Sequence, residues 1–371
     1  MIKYLMLLAL CCSPSAHAHK PSDSYLSLSV HDQHIDGQWD IALRDLDFAI
    51  GLDADGNGEL TWDEVRVKHG AIAAYALARL RLGGDGAACP VQVREQLIDE
   101  HTDGAYSVLR FDAVCPAKVG ALTVEYRLLF DVDPQHKGLL KLQNRGLTSS
   151  AIFSPDNATQ QFMPAEPDRL KQFADYLKTG VWHIWIGFDH ILFLLSLLLP
   201  AVLIRVDRRA GLDFKTSAID VLKIVTAFTL AHSITLTLAT LQVIALPSRW
   251  VESAIAASVI FAALNNMFPM VLTRRWLAAF GFGLIHGFGF ASVLTDLGLP
   301  QGTLLLALVG FNVGVELGQM AIVALFLPLA YGLRNSWFYR KLVLIGGSGL
   351  IVLIAAIWFS ERAFNLKLMT P

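Results

Sequence analysis

The sequence predicts a membrane protein in two parts: an exported β-sandwich-like domain with a helical insertion, followed by a six-helix α transmembrane bundle. Hydrophobic residues make up 54% of the 371 residues and charged residues 17%, which is too apolar for a soluble chain of this length. The apolar excess lies after residue 165, in runs close to the roughly 20 residues that cross a bilayer. The formal net charge of −2 gives no indication of nucleic-acid binding.

Residues 1–18 have the pattern of a cleaved signal peptide. Lys3 supplies the positive start, residues 4–12 the apolar core, and Ala16-His17-Ala18 the cleavage site. An uncleaved anchor is disfavoured because the apolar run is too short to span. Residues 19–165 are therefore expected to form an exported domain.

Two cysteines remain in that domain, Cys89 and Cys115. In an exported protein the simplest expectation is a disulfide between them, on adjacent strands. Two reduced buried thiols would fit a cytosolic domain better.

Apolar alternation predicts the strands of this domain. Candidates lie at residues 25–30, 39–43, 91–98, 106–113, 122–130, 139–143 and 151–154. The helical insertion carries an acidic loop, residues 53–64, which matches the EF-hand pattern with Gly58 at its sharp turn. The predicted calcium ligands are Asp53, Asp55, Asn57, Glu59 (through its carbonyl), Thr61 and Glu64. Flanking helices are expected at residues 43–52 and 62–82, and a solvated acidic turn is the alternative.

The second half contains six apolar runs. They lie at residues 180–206, 221–246, 251–272, 276–294, 304–331 and 342–359. Residues 166–179 predict an interfacial helix before the first span, and residues 361–371 a tail. Basic residues concentrate in the loops after the odd-numbered spans, among them Arg205, Arg208 and Arg209. The positive-inside rule therefore places both mature termini on the exported side of a bacterial-type inner membrane.

Ionisable residues inside these runs are the candidate functional residues. His183, Asp189 and His190 lie in the first run, His232 in the second and His286 in the fourth. Asn312, Glu316 and Gln319 share one face of the fifth. A buried histidine can simply join two helices by a hydrogen bond, but four of them with two carboxylates favour a shared polar site.

Imidazole and carboxylate together suit first-row divalent metals. His183 and His190 are two helical turns apart, with about 10 Å of rise, which Gly187 between them allows a bend to shorten. His190, His232 and His286 are expected to cluster most tightly, with His183 above them as the entrance.

At these residues the chain resembles the HupE/UreJ family of hydrogenase and urease accessory membrane proteins, in the branch with a large exported domain. His183, five residues and then Asp189-His190 are similar to the family's His-x5-Asp-His signature. His286-Gly287 resembles the start of its His-Gly-x-Ala motif, although Ala291 stands later than in that motif. The resemblance covers residues 180–359, and it implies that His183, Asp189, His190 and His286 take part in metal passage. His232 and Glu316 are added from the chemistry of the spans.

The leading functional prediction is a transporter of a divalent transition metal, nickel or cobalt before zinc, with a calcium-stabilised exported domain. The resemblance also implies partners in metalloenzyme maturation. One alternative is an intramembrane zinc hydrolase, with Asp189 or Glu316 as general base. Another is an accessory protein whose exported domain docks a partner. Convergence of three imidazoles on one point would favour the enzyme, and a staggered column would favour the transporter.

Overall fold

The computed structural model describes residues 22–101, 104–144, 146–163, 168–203, 213–271, 274–296 and 299–364. The predicted signal peptide and most of the predicted tail lie outside the described residues, as do the loop arginines Arg205, Arg208 and Arg209. The described chain forms a sheet region, residues 22–163, and a helical region, residues 168–364.

The sheet region contains two sheets with a shared core. Its described strands are β1 (Asp23–His31), β2 (His34–Ala42), β3 (Leu80–Gly84), β4 (Ala87–Cys89), β5 (Val91–His101), β6 (Gly104–Val114), β7 (Leu122–Tyr126), β8 (Lys137–Asn144), β9 (Leu147–Phe153) and β10 (Thr159–Phe162). The larger sheet has the order β5-β6-β2-β1-β8-β9 and the smaller β10-β7-β3-β4. Only the β1–β8 pair is parallel among the described pairs. Trp39 of the larger sheet and Val124 of the smaller belong to the same buried cluster, so the sheets cover one core.

Apolar alternation explains these strands. In β7 every second residue, Leu122, Val124 and Tyr126, is buried, as expected for a strand with one face on a core. Each strand predicted from alternation has a counterpart. The short strands β3, β4 and β10 were not predicted, since none is long enough to show a period.

Three short helices form the insertion: α1 (Leu43–Ile50), α2 (Trp62–Val67) and α3 (His69–Leu77). The acidic loop lies between α1 and α2. The helix predicted over residues 62–82 is interrupted at Lys68 and ends at Leu77. The predicted helix was wrong beyond that point, because Leu80–Gly84 pairs with both β7 and β4 and so satisfies its backbone in the sheet.

Cys89 and Cys115 form a disulfide, which confirms the predicted pairing. The prediction that they lie on adjacent strands was wrong. Cys89 ends β4 in the smaller sheet, whereas Cys115 directly follows β6 in the larger sheet. The bond therefore ties the two sheets together across the core.

The helical region begins with a bent pair, α4 (Arg169–Ile186) and α5 (Phe188–Leu198). Then follow α6 (Phe214–Thr240), α7 (Ser248–Met267), α8 (Arg275–His286), a 3-10 turn (Gly287–Phe290), α9 (Ala291–Asp296), α10 (Gln301–Leu333), a π-helical turn (Phe338–Gly346) and α11 (Gly347–Phe364). The described residues contain four helices that are long and apolar enough to cross a membrane, or five if the bent pair is one span.

The six predicted spans are thus only partly matched. The fourth is divided by the 3-10 turn Gly287–Phe290 into pieces too short to pass the same test. The first is bent by 70° at Gly187. The segment predicted as a separate interfacial helix is continuous with the first span, since α4 runs through residue 180 without a break.

Close glycine contacts set the helix pairs that carry the polar residues. Gly310 and Gly314 of α10 lie against Phe173 and Leu177 of α4, so these helices run parallel, and a side chain at Gly314 would collide with the Leu177 carbonyl. Gly283 and Gly287 pack in the same way on Phe228 and His232 of α6. If successive spans alternate in direction, the first and fifth spans run in the same direction, and so do the second and fourth. The parallel packing of these two helix pairs agrees with that alternation.

The sheet region packs directly on the helical region. Tyr25, Tyr106 and Ile152 of the larger sheet share one buried cluster with side chains of α4, α6, α9 and α10. Tyr176 of α4 also donates a hydrogen bond to Ser150 of β9. The two regions are therefore joined by a continuous apolar interface.

Candidate metal centre in the helical region

The bend at Gly187 brings His183 and His190 together. His183 lies in the last turn of α4 and His190 in the first turn of α5, and their ring centroids are 4.6 Å apart. In a straight helix the two residues would be separated by about 10 Å of rise. A Cβ at position 187 would lie 2.7 Å from the His183 carbonyl oxygen and 2.9 Å from His190 Nδ1, so glycine is needed at this close approach.

His232 on α6 completes a group of three. Its ring centroid lies 6.5 Å from that of His183 and 6.4 Å from that of His190. One ring nitrogen from each of the three histidines lies within 4.8 Å of the others. We call His183, His190 and His232 the histidine cluster.

His286 lies beside the cluster rather than within it. Its ring centroid is 5.3 Å from that of His190, and its Nε2 is 2.8 Å from the Ser258 hydroxyl oxygen on α7. The ring nitrogens that converge are those of His183, His190 and His232, so the predicted tightest group was wrong in including His286 in place of His183. The angle of the bend at Gly187 determines which histidines come together, and that angle could not be predicted from the sequence.

Asp189 orients His190. Its Oδ1 lies 3.0 Å from His190 Nδ1 and also accepts the backbone N–H of His190 at 2.9 Å. With Nδ1 as the donor, Nε2 of His190 presents a lone pair. A carboxylate behind a histidine in this way fixes the tautomer and raises the basicity of a metal-ligating imidazole.

Several buried polar atoms in and beside the cluster have no hydrogen-bond partner among the described residues. They are His183 Nε2, His190 Nε2, His232 Nδ1 and Nε2, His286 Nδ1 and Asn312 Oδ1. His232 is 0% exposed, and Asn312 of α10 lies next to it. Buried polar atoms are normally paired, so this concentration indicates a place where a ligand supplies the missing partners.

Aromatic rings enclose the cluster. Phe290 and Phe311 stack at 4.2 Å, and their centroids lie 4.9 and 5.2 Å from that of His183. Phe193 and Phe228 pack on His286 at 4.9 and 5.3 Å. These rings give the imidazoles apolar surroundings, which strengthen electrostatic interactions inside the site.

Glu316 is not part of this group. Its carboxylate accepts a hydrogen bond from Thr226, six residues before His232 on α6, which is about 9 Å along the helix axis. Nearby on the same face, Gln319 accepts a hydrogen bond from Thr229. The shared face of Asn312, Glu316 and Gln319 thus turns toward α6, but only Asn312 reaches the cluster.

Sequence reasoning missed Ser258, which holds His286. A serine in a spanning helix is common and commonly bonds to its own backbone, so its sequence position carried no signal.

The acidic loop forms a second group. Carboxylate oxygens of Asp53, Asp55 and Glu64 lie within 4.8 Å of one another. Hydrogen bonds from the Thr61 hydroxyl, the Thr61 N–H and the Ala54 N–H lower the pKa of Glu64 to about 2. Hydrogen bonds from Gly58 and Gly56 lower the pKa of Asp53 as well. Both carboxylates are therefore anionic at neutral pH.

The fold and the cluster together define a polytopic membrane protein with a buried imidazole-rich site. Residues 158–362 match the family model described as HupE / UreJ protein, which covers more than half of the chain. The chain belongs to this family, and membership indicates a membrane accessory or metal-transport role. No curated protein matches it.

Proposed function

We propose that this protein transports a divalent transition metal, nickel or cobalt before zinc, through the histidine cluster. The observation that carries the proposal is a group of three histidines, each with a buried Nε2 that has no hydrogen-bond partner among the described residues, in a chain whose family indicates a metal-transport role. A bare dication cannot enter hydrocarbon, so side-chain ligands must replace its water. Three neutral imidazoles, backed by the charge of Asp189, supply such ligands.

In the proposed topology the sheet region is exported, the bent pair and the divided fourth helix each count as a span, and the loop arginines lie in the cytoplasm of a bacterial-type cell. We propose inward passage, with the metal entering from the side of the sheet region. Protons compete with metal for imidazole, so uptake should fall as the pH is lowered.

An intramembrane zinc hydrolase is the second candidate, and the convergence of the three imidazole nitrogens favours it. Three histidines with an open fourth position are typical of catalytic zinc. The carboxylates argue against it. Asp189 Oδ1 is engaged by His190, and Glu316 contacts Thr226, so both predicted general bases already have hydrogen-bond partners. Transport therefore remains the better proposal.

The test is metal binding and uptake by the full chain in lipid vesicles. We expect wild-type protein to bind about one nickel or cobalt ion per chain, and His190→Ala and His232→Ala to lose binding and uptake together. His34→Ala, which changes an exposed histidine of β2, is the matched control. Normal uptake by both cluster variants would refute the transport role, whereas zinc-dependent hydrolysis without uptake would favour the enzyme.

For the acidic loop we propose calcium as a structural ion. The donor set fits: three carboxylates, the Asn57 amide, the Glu59 carbonyl and Thr61 are oxygen ligands of the kind that calcium prefers. Gly56 and Gly58 adopt positive φ of 72° and 83°, and the Asp53 carboxylate accepts their N–H groups, which curls the loop around its carboxylates. Calcium there would hold α1 to α2.

A further inference from the structure

An ion triad around His101 fastens the sheet region to the helical region. His101 Nε2 lies 3.1 Å from Asp40 Oδ2 on β2, and its Nδ1 lies 3.7 Å from Asp296 Oδ2 at the end of α9. The three side chains are at most 12% exposed. Tyr25 and Tyr106 stack with the imidazole at 5.2 and 4.1 Å. The carboxylate from the helical region is thus held by a histidine that the sheet region positions.

The short helix α9 connects this triad to the histidine cluster. Asp296 is its last residue, and its first residue, Ala291, directly follows Phe290. Phe290 stacks on Phe311, and both rings pack on His183. A movement of α9 away from the sheet region would therefore move one ring of the pair that covers His183.

The apolar interface leads to the same two rings. Tyr25 and Tyr106 of the sheet region share a buried cluster with Leu308, Phe311 and Ala291. Packing is continuous from the larger sheet, through α9 and α10, to the rings over His183. The sheet region consequently lies over this side of the histidine cluster.

We propose that the Phe290–Phe311 pair is a gate on the side of the cluster that faces the sheet region, and that the His101–Asp40–Asp296 triad is the latch that holds it closed. Opening requires Asp296, at the end of α9, to separate from His101 on β5. The gate regulates access to the metal site proposed above, and in that sense it rests on the proposed function.

The test measures access of a small reagent to His183 and does not need a metal. Full-length protein in lipid nanodiscs is treated with diethyl pyrocarbonate, which acylates neutral imidazole, and labelling of His183 is followed by mass spectrometry. Labelling of the exposed His34 in the same sample is the internal reference. We expect His101→Gln and Asp296→Asn each to raise the relative labelling rate of His183 about tenfold, as expected when a charge-assisted contact that closes a local opening is lost.

Two further variants make the result decisive. Phe311→Ala removes the gate and should raise labelling whether or not the latch is intact. Asp131→Asn breaks the exposed ion pair with Arg79 on the sheet region and should change nothing. If Phe311→Ala raises labelling but the triad variants behave as wild type, the latch is refuted. If no variant raises it, the gate is refuted.

Asp296→Asn retains the His101–Asp40 pair. If His101→Gln fails to fold, the labelling of His183 in Asp296→Asn still tests the latch. A chain that labels as expected but binds no metal would refute the proposed function and leave the gate standing.

Discussion

Two fully buried histidines, one in each region, differ in whether their ring nitrogens have hydrogen-bond partners. His136 and His232 are both 0% exposed. In the sheet region, His136 Nδ1 lies 2.6 Å from the Ser22 hydroxyl and its Nε2 lies 2.7 Å from the Tyr126 hydroxyl. In the helical region, neither nitrogen of His232 makes a hydrogen bond of normal geometry among the described residues, and its polar neighbour is the Asn312 side chain.

The network around His136 has a consistent direction. Ser22 donates to Asp45, so its oxygen accepts the Nδ1–H of His136, and Nε2 accepts the Tyr126 hydroxyl proton. Burial, with the nearby charge of Lys137, lowers the pKa of His136 to about 3 and keeps the ring neutral. Burial alone therefore does not distinguish a metal ligand from a structural histidine; the proposed ligand differs in its unpartnered nitrogens.

The largest expected effect is on stability, and it differs between the two histidines. His136→Leu strands the Tyr126 hydroxyl and the Ser22 oxygen, and should destabilise the sheet region by about 3 kcal/mol. His232→Leu removes two unpaired nitrogens and should be neutral or slightly stabilising. Hydrogen exchange of peptides from β8 and α6 measures both changes in stability. Equal losses of stability in the two variants would contradict the expected difference between His136 and His232.

The next effect concerns the carboxylate behind His190 and the carboxylate in the His136 network. Asp189→Asn leaves an uncharged oxygen behind His190, and should lower nickel affinity by about 10- to 100-fold. Asp45→Asn, the matched change in the His136 network, should leave nickel affinity unchanged. Calorimetric titration of both variants in detergent checks this, and similar losses in both would place the metal elsewhere.

Features that depend on residues close together in the sequence, or on residue type alone, could be predicted. Alternation identified β7, and the two cysteines gave the disulfide, although not the fact that it joins two sheets. Gly187 between His183 and His190 was expected to allow a bend, and the bend lies there.

Features that depend on the packing of distant segments could not be predicted from the sequence. The 70° angle at Gly187 brings His183 into the cluster and leaves His286 beside it. Glu316 lies on the predicted face, yet it bonds to Thr226 rather than to a histidine. The strand at Leu80–Gly84 depends on partners distant in sequence, which local helix propensity cannot anticipate.

A third, smaller effect contrasts the oxygen ligands of the acidic loop with the imidazoles of the cluster. Calcium at about ten times its dissociation constant should stabilise the sheet region by about 1.4 kcal/mol. Glu64→Gln should abolish that gain without changing nickel binding. The check is hydrogen exchange of α1 and α2 peptides with and without calcium. Equal protection of the wild-type peptides in both conditions would contradict the proposed calcium site.

The smallest expected effect distinguishes His101, a histidine paired with charges, from the neutral His136. Burial alone would lower the pKa of His101, but Asp296 and Asp40 raise it to about 9. A raised pKa contributes stability that is complete below the unfolded value of about 6.5 and is lost as the pH rises through about 9. Because the site is partly screened by solvent, we expect a contribution of about 1 kcal/mol. Wild type should therefore melt above His101→Gln at pH 6, and the two should converge by about pH 10. The Asp131→Asn control should differ from wild type by the same amount at both pH values. A wild-type advantage over His101→Gln that persists at the higher pH would show that His101 acts by packing between the tyrosines and not by its charge.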